Sequence, residues 1–273
     1  MNIRMICMDL DGTALQKDRT SFSPRLMTAL AAAHEQGIAV AVVTGRQFGL
    51  LPQAVTCHPI WENLAAVCNG GQIRRLGTGE LLEERNIAPA ALAELLKLAS
   101  RFDLPVEFSV DSKLYLTERS IQLQQDDPGL TFHRDVILAK NGYILDSLEP
   151  LCEAPVEKVN LLCIPEARRE TVVAELEKIA VSAVWASGSC MEITHPEAHK
   201  GMALERICDL LGIPAEETMA LGDSGNDIAM LRRAGLGVAM GNAPDFVKEA
   251  ADVIADRYDE DGAAGAIERW ALH

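Results

Sequence analysis

The sequence predicts an α/β protein: a doubly wound parallel sheet as core, with a second, α+β domain inserted into it. Three observations point there. Short apolar runs rich in β-branched residues recur near both ends of the chain and stop at glycine-containing polar turns, as strands buried on both faces do. Segments with apolar residues at helical spacing lie between those runs, which is the alternation of a parallel sheet. The middle third breaks that rhythm, and 273 residues with 48% hydrophobic content are enough for two cores.

Residues 3–13 begin as a short apolar strand that delivers Asp9 and Asp11 to its carboxyl end, followed by Gly12-Thr13. A polar loop then leads to Ser23-Pro24, a helix start with proline at the first helical position. Leu26, Met27, Leu30, Ala33 and His34 keep helical spacing until Gly37. The run 38–43 reads as a fully buried strand ending at Thr44-Gly45-Arg46. A helix follows, then a strand at 65–68 that stops at Asn69-Gly70-Gly71.

Over 82–187 helices at 89–101 and 166–179 alternate with shorter strands at 106–110, 113–117, 159–164 and 183–186, and Asp126-Asp127-Pro128-Gly129 reads as a turn. No acidic strand end appears there. The expected domains are therefore a core of 1–81 with 188–273 and an insertion of 82–187, joined by linkers near 77–84 and 187–190. From Met191 the first pattern resumes: helix 200–211, strand 218–222, helix 225–233, strand 236–239, helix 244–250, a short strand at 252–254 and a last helix at 261–270.

Composition narrows the function. A net charge of −15 leaves no basic stripe to neutralise phosphates, which argues against nucleic acid and anionic membrane as partners. Seven cysteines, scattered and without a Cys-x-x-Cys pair, read as free thiols in a reducing compartment. The first apolar run is short and passes straight into Asp9, so no secretory signal is expected and the expected location is cytoplasmic. Self-association as a homo-oligomer is left open.

The chemistry-bearing residues sit at strand ends. Thr218–Gly222 is another apolar run that stops at an acidic cluster, Asp223-Ser224-Gly225-Asn226-Asp227. If both acidic ends lie parallel in one sheet they converge, giving a hard-oxygen site suited to Mg²⁺ with a carboxylate left over as nucleophile. Asp9, Asp11, Thr44, Asn69, Asp223 and Asp227 all lie where an open parallel sheet binds ligands. Thr44 and Gly45 can offer a hydroxyl and a backbone donor to one phosphate oxygen, although Thr44 alone reads equally as a turn residue. Lys200 opens a helix, where the dipole disfavours a cation, so its charge points to a neighbouring anion. His195 and His199 have His-x-x-x-His spacing, but Pro196 interrupts the helix and no third ligand is evident, so neither is read as a metal ligand.

With these motifs placed, the chain resembles the haloacid dehalogenase (HAD) superfamily of phosphatases, and within it the Cof-type subfamily with a type IIB cap. The resemblance rests on Asp9-Leu-Asp-Gly-Thr13, Val43-Thr-Gly-Arg46, Asn69-Gly70, Lys200-Gly201, Gly222-Asp-Ser-Gly-Asn-Asp227 and Gly241-Asn-Ala243. Ala14 and Gly71 depart from the commoner family residues without touching the chemistry. Over 82–187 the agreement is only in length, position and strand–helix alternation.

The resemblance implies a HAD-like, Rossmann-type core, a cap that selects substrate, and hydrolysis of small phosphorylated metabolites through an aspartyl-phosphate. It implies Asp9 as nucleophile and Asp11 as general acid and base. Mg²⁺ would be held by Asp9, the Asp11 carbonyl and Asp223. Leu10 (through its amide), Thr44, Gly45, Lys200 and Asn226 would hold the phosphoryl group, and Asp227 would orient Lys200 or a metal-bound water.

Two rivals use similar parts. A receiver-type signalling domain also accepts phosphate on aspartate, but it is near half this length and carries adjacent acids on its first strand. A phosphomutase or phosphotransferase shares the Asp pair and differs in the acceptor. Tyr115, Arg119, His133 and Arg134 are the polar cap residues expected to be available for the leaving group.

Overall fold

The computed structural model describes residues 2–57, 60, 64–125 and 142–272. In chain order its strands are β1 (Met5–Met8), β2 (Ala39–Val43), β3 (Leu64–Val67), β4 (Gln72–Arg75), β5 (Leu81–Glu84), β6 (Val106–Val110), β7 (Lys113–Thr117), β8 (Gly142–Leu145), β9 (Val156–Leu161), β10 (Ser182–Ser187), β11 (Cys190–Thr194), β12 (Thr218–Gly222), β13 (Leu236–Ala239) and β14 (Val253–Ile254). They form two sheets in two compact units, one of Met1–Glu83 with His199–His273 and one of Glu84–Ala198. The expected turn at Asp126–Gly129, with His133 and Arg134, lies outside the described residues.

The first unit carries a sheet in the order β14-β13-β12-β1-β2-β3-β4-β5. From β14 to β3 neighbours run parallel, and β4 returns antiparallel to β3. Every residue of β1, β2, β3 and β12 is buried, which explains why these strands read as unbroken apolar runs rather than as alternations. Ile6, Met8, Val40, Val42 and Leu221 face one layer, where they pack with Leu26 and Leu30 of the Pro24–Glu35 helix and Ile267 of the Gly262–Trp270 helix. Met5, Cys7, Ala41, Val43 and Ala220 face the other, against Leu204 and Ile207 of the Lys200–Leu211 helix and Met230 and Leu231 of the Ile228–Arg233 helix. Helices on both faces make the core doubly wound, with β12 and β2 flanking β1. Ser23 starts the first helix as expected, its hydroxyl accepting the Leu26 amide at 3.1 Å.

The second unit has a sheet in the order β10-β11-β9-β6-β7-β8. Its pairings are antiparallel except β7 with β8. Phe108, Val159, Leu161 and Ile193 form its apolar face with Leu92 and Leu95 of the Pro89–Phe102 helix and Val172 and Leu176 of the Arg169–Leu176 helix. Carboxylates and amides on the neighbouring register positions are buried too, Glu107 accepting from Gln124 at 3.1 Å and from Asn160 at 3.2 Å.

Both expected linkers are corrected. Residues 81–84 are strand β5 of the core sheet, reached from β4 through a turn in which the Gly79 amide bonds the Arg75 carbonyl at 2.9 Å. The stretch 187–190 is a hairpin: β11 runs back along β10 and pairs on its other side with β9, so 188–198 belongs to the second unit and not to the core. Among the described residues no helix is long and apolar enough to cross a membrane.

Candidate active site

The two acidic strand ends converge because of register. Met8 of β1 lies beside Leu221 of β12, and the Asp9 amide donates to the Leu221 carbonyl at 3.0 Å. The chain therefore leaves both strands side by side, and oxygens of Asp9, Asp223 and Asp227 fall within 4.8 Å of one another. Gly12 makes room for this approach. Its φ is +76°, and a Cβ there would sit 2.3 Å from Asp223 Oδ2. Gly222 does the same for Asp227, whose own Cβ lies 2.4 Å from where a methyl would project.

Lys200 reaches this cluster from the first residue of its helix. Its Nζ lies 2.7 Å from Asp9 Oδ1 and 2.7 Å from Asp227 Oδ1, and the side chain is 1% exposed. Burial by itself would lower the Lys200 ammonium, but Asp227 and Asp9 more than offset it and hold the group above its ordinary value. Asp227 is fully buried and its second oxygen accepts the Asp223 and Ser224 amides at 3.0 Å each. That side chain is thus committed to fixing Lys200 and the turn after β12. His199 caps the helix, Nδ1 accepting the Met202 amide at 3.3 Å, and His195 Nδ1 accepts the Glu197 amide at 3.1 Å. Both imidazoles therefore have local backbone partners.

The acids carry an excess of negative charge. Burial raises Asp9 well above the ordinary carboxylate range, with Asp227 and Asp223 adding to the rise and Lys200 opposing it. Burial, with Asp227 adding to it, likewise pushes Asp223 up to about 7. A set of carboxylate oxygens strained by mutual repulsion, with one lysine among them, fits a hard divalent cation.

Around this centre lie the other expected residues. Thr44, at the end of β2, is buried, and its hydroxyl oxygen accepts the Arg46 amide at 3.2 Å. Gly45 occupies the bend that follows, and Leu10 is buried between the two acids of the first loop. Asn226 donates to Asn69 Oδ1 at 3.0 Å and accepts from Ser224 Oγ at 2.6 Å. Asp11 is 40% exposed, and both of its oxygens are held by Arg46. In the second unit, Tyr115 stacks on Tyr143 with ring centroids 5.4 Å apart, and Arg119 pairs with Asp103 at 2.6 Å.

Four residues stood inside the quoted motifs without an assigned role. Thr13 Oγ1 donates to Asp223 Oδ1 at 3.3 Å, and Asn242 Nδ2 reaches both Gly12 O at 2.9 Å and Asp223 Oδ2 at 3.1 Å. Asn69 sets the orientation of Asn226, and Arg46 that of Asp11. Their only signal in the sequence was membership of a strand-end motif.

Comparison with known proteins identifies the family of the chain. The family model of haloacid dehalogenase-like hydrolases matches residues 6–267. The 5-amino-6-(5-phospho-D-ribitylamino)uracil phosphatase YcsE of Bacillus subtilis (strain 168) is 30% identical, over 100% of this chain and 97% of that protein. The pyridoxal phosphate phosphatase YbhA of Escherichia coli (strain K12) is 26% identical over 98% of each chain. Among solved structures, a haloacid dehalogenase-like hydrolase from B. subtilis superimposes with a TM-score of 0.82 at 26% identity, covering 98% of this chain and 100% of that one. A HAD subclass IIB sugar phosphatase shares the fold, with a TM-score of 0.84 at 22% identity over 99% of this chain and 100% of that one. The chain belongs to the haloacid dehalogenase-like hydrolases and is a phosphatase of that family.

Proposed function

We propose that the protein is a Mg²⁺-dependent phosphatase that hydrolyses phosphate monoesters of small metabolites through an aspartyl-phosphate on Asp9. The observation that carries this reading is the position of Lys200 Nζ, 2.7 Å from both Asp9 and Asp227 inside an acid cluster. A lysine so placed serves a second anion arriving at Asp9, and a phosphate ester is such an anion.

Asp9 attacks phosphorus, forming the Asp9 Oδ–P bond as the ester P–O bond breaks, and Asp11 gives its proton to the departing alkoxide. Water then attacks the aspartyl-phosphate and passes a proton to Asp11, releasing inorganic phosphate and restoring the Asp9 carboxylate. Lys200, the Thr44 hydroxyl, the Gly45 and Leu10 amides and Asn226 hold the phosphoryl oxygens, while Asp227 fixes the Lys200 ammonium. Asp9, the Asp11 carbonyl and Asp223 would hold Mg²⁺, which when bound offsets the repulsion between a carboxylate and a phosphate dianion.

The named relatives act on quite different esters, a phosphoribityl pyrimidine and pyridoxal phosphate among them. The unit Glu84–Ala198 is accordingly read as the cap that chooses the alcohol, and the core as the phosphoryl machinery. Hydrolysis in ¹⁸O-water tests the reaction type. One solvent oxygen in each released phosphate is expected, and transfer to added alcohols without solvent label would assign the chain to phosphoryl transfer instead.

A further inference from the structure

Asp11 is the residue the mechanism asks to do two opposite things, and Arg46 already holds it. Arg46 Nε lies 2.7 Å from Asp11 Oδ2, and Arg46 Nη2 lies 2.7 Å from Asp11 Oδ1, a two-pronged pairing on one edge of the carboxylate. The guanidinium is itself anchored. Nη1 donates to the Leu50 carbonyl at 3.1 Å and Nη2 to the Arg19 carbonyl at 3.0 Å, and the side chain is 15% exposed. Its backbone is fixed as well, through the Thr44 hydroxyl and through the Cys68 amide at 2.9 Å. Arg46 is the stationary partner, and Asp11, 40% exposed, is the one with room to turn.

We propose that Arg46 is a positioning residue that assigns Asp11 to the second half of the reaction. In the fork both Asp11 oxygens act as acceptors, and each keeps a further lone pair, the arrangement suited to receiving a proton from water. A proton taken there neutralises the carboxyl and weakens the charge-assisted fork, which frees Asp11 to turn out carrying that hydrogen to the alkoxide of the next turnover. Asp11 therefore leaves the fork for leaving-group protonation and returns to it for hydrolysis of the aspartyl-phosphate. In that second step the water O–P bond forms, the Asp9 O–P bond breaks, and the water proton passes to Asp11. This inference rests on the aspartyl-phosphate reading above.

Rapid-quench kinetics with ³²P-labelled p-nitrophenyl phosphate, whose leaving group needs no proton, separates the steps. Arg46→Gln is expected to release the first equivalent of nitrophenolate within about threefold of the unaltered rate. Its steady-state turnover is expected to fall by about 10- to 100-fold, with labelled protein accumulating. Arg46→Lys keeps the charge without the fork and is expected to behave as the glutamine variant does. Equal losses in both phases, unchanged turnover, or full rescue by lysine would each overturn the assignment. A crystal structure of the unaltered protein with beryllofluoride on Asp9 tests the same point without a variant: Asp11 is expected in the fork, and Arg46 turned away from it would contradict the proposal. If label is trapped in the unaltered enzyme and Arg46→Gln partitions as it does, only this inference fails. If no label is trapped in any form, the aspartyl-phosphate reading falls and takes this inference with it.

Discussion

Asn242 Nδ2 lies 3.1 Å from Asp223 Oδ2 and 2.9 Å from the Gly12 carbonyl, while its Oδ1 accepts the Tyr258 amide at 3.0 Å. One side chain thus ties the loop after β1, the end of β12 and the segment before the last helix into a single frame. With Thr13 on Oδ1, both oxygens of Asp223 have a fixed donor, and the carboxylate is aimed before any cation arrives.

Replacing that amide should therefore loosen the proposed metal site before it harms the fold. Asn242→Ala is expected to weaken Mg²⁺ binding by about 10- to 100-fold, read by calorimetric titration of the purified protein. An affinity equal to that of the unaltered protein would remove Asn242 from any positioning role.

Asp223 gives the site a pH dependence with a definite sign. Its folded value stands near 7, above the ordinary 3.8, because of burial and the Asp227 charge. A carboxylate raised in this way favours the fold while neutral, and that contribution is lost as pH rises through about 7. Mg²⁺ binds the ionised form and relieves the repulsion, so its effect on Tm should be larger at pH ~8 than at pH ~6. Thermal unfolding with and without Mg²⁺ at the two pH values checks this, and a Tm rise independent of pH would contradict it.

The chemistry was legible where it coincided with strand ends. A strand buried on both faces reads as a continuous apolar run, so the residue that breaks it, Asp9 or Asp223, marks the carboxyl edge of the sheet. Lys200 was legible for the same kind of reason, since a cation at a positive helix end has to answer to something. Arg46 and Asn242 were not, because each acts on a partner brought near only by the sheet: Asp11 across 35 positions, Asp223 across 19. The misplaced borders have a simple origin as well. Cys190–Thr194 is a short strand of the second sheet, and nothing in five residues tells which sheet a strand will join. The polar, half-exposed β5 lacks the apolar run that identified the central strands.

Asp11 and Asp9 should separate by leaving group. An alkoxide needs a proton and a nitrophenolate does not, so Asp11→Asn is expected to slow single-turnover release of an alkyl alcohol by about 100-fold or more, and of p-nitrophenolate far less. Equal slowing of both would contradict the acid role.

The central claim is that Asp9 carries the phosphoryl group. Acid quench of the enzyme turning over a ³²P-labelled substrate, followed by peptide mapping, tests it most directly. The label is expected on the peptide containing Asp9, stable to acid and released by hydroxylamine, and absent from Asp9→Asn, whose turnover should fall by about 10³-fold or more. Label on another residue, or full turnover in Asp9→Asn, would contradict the account.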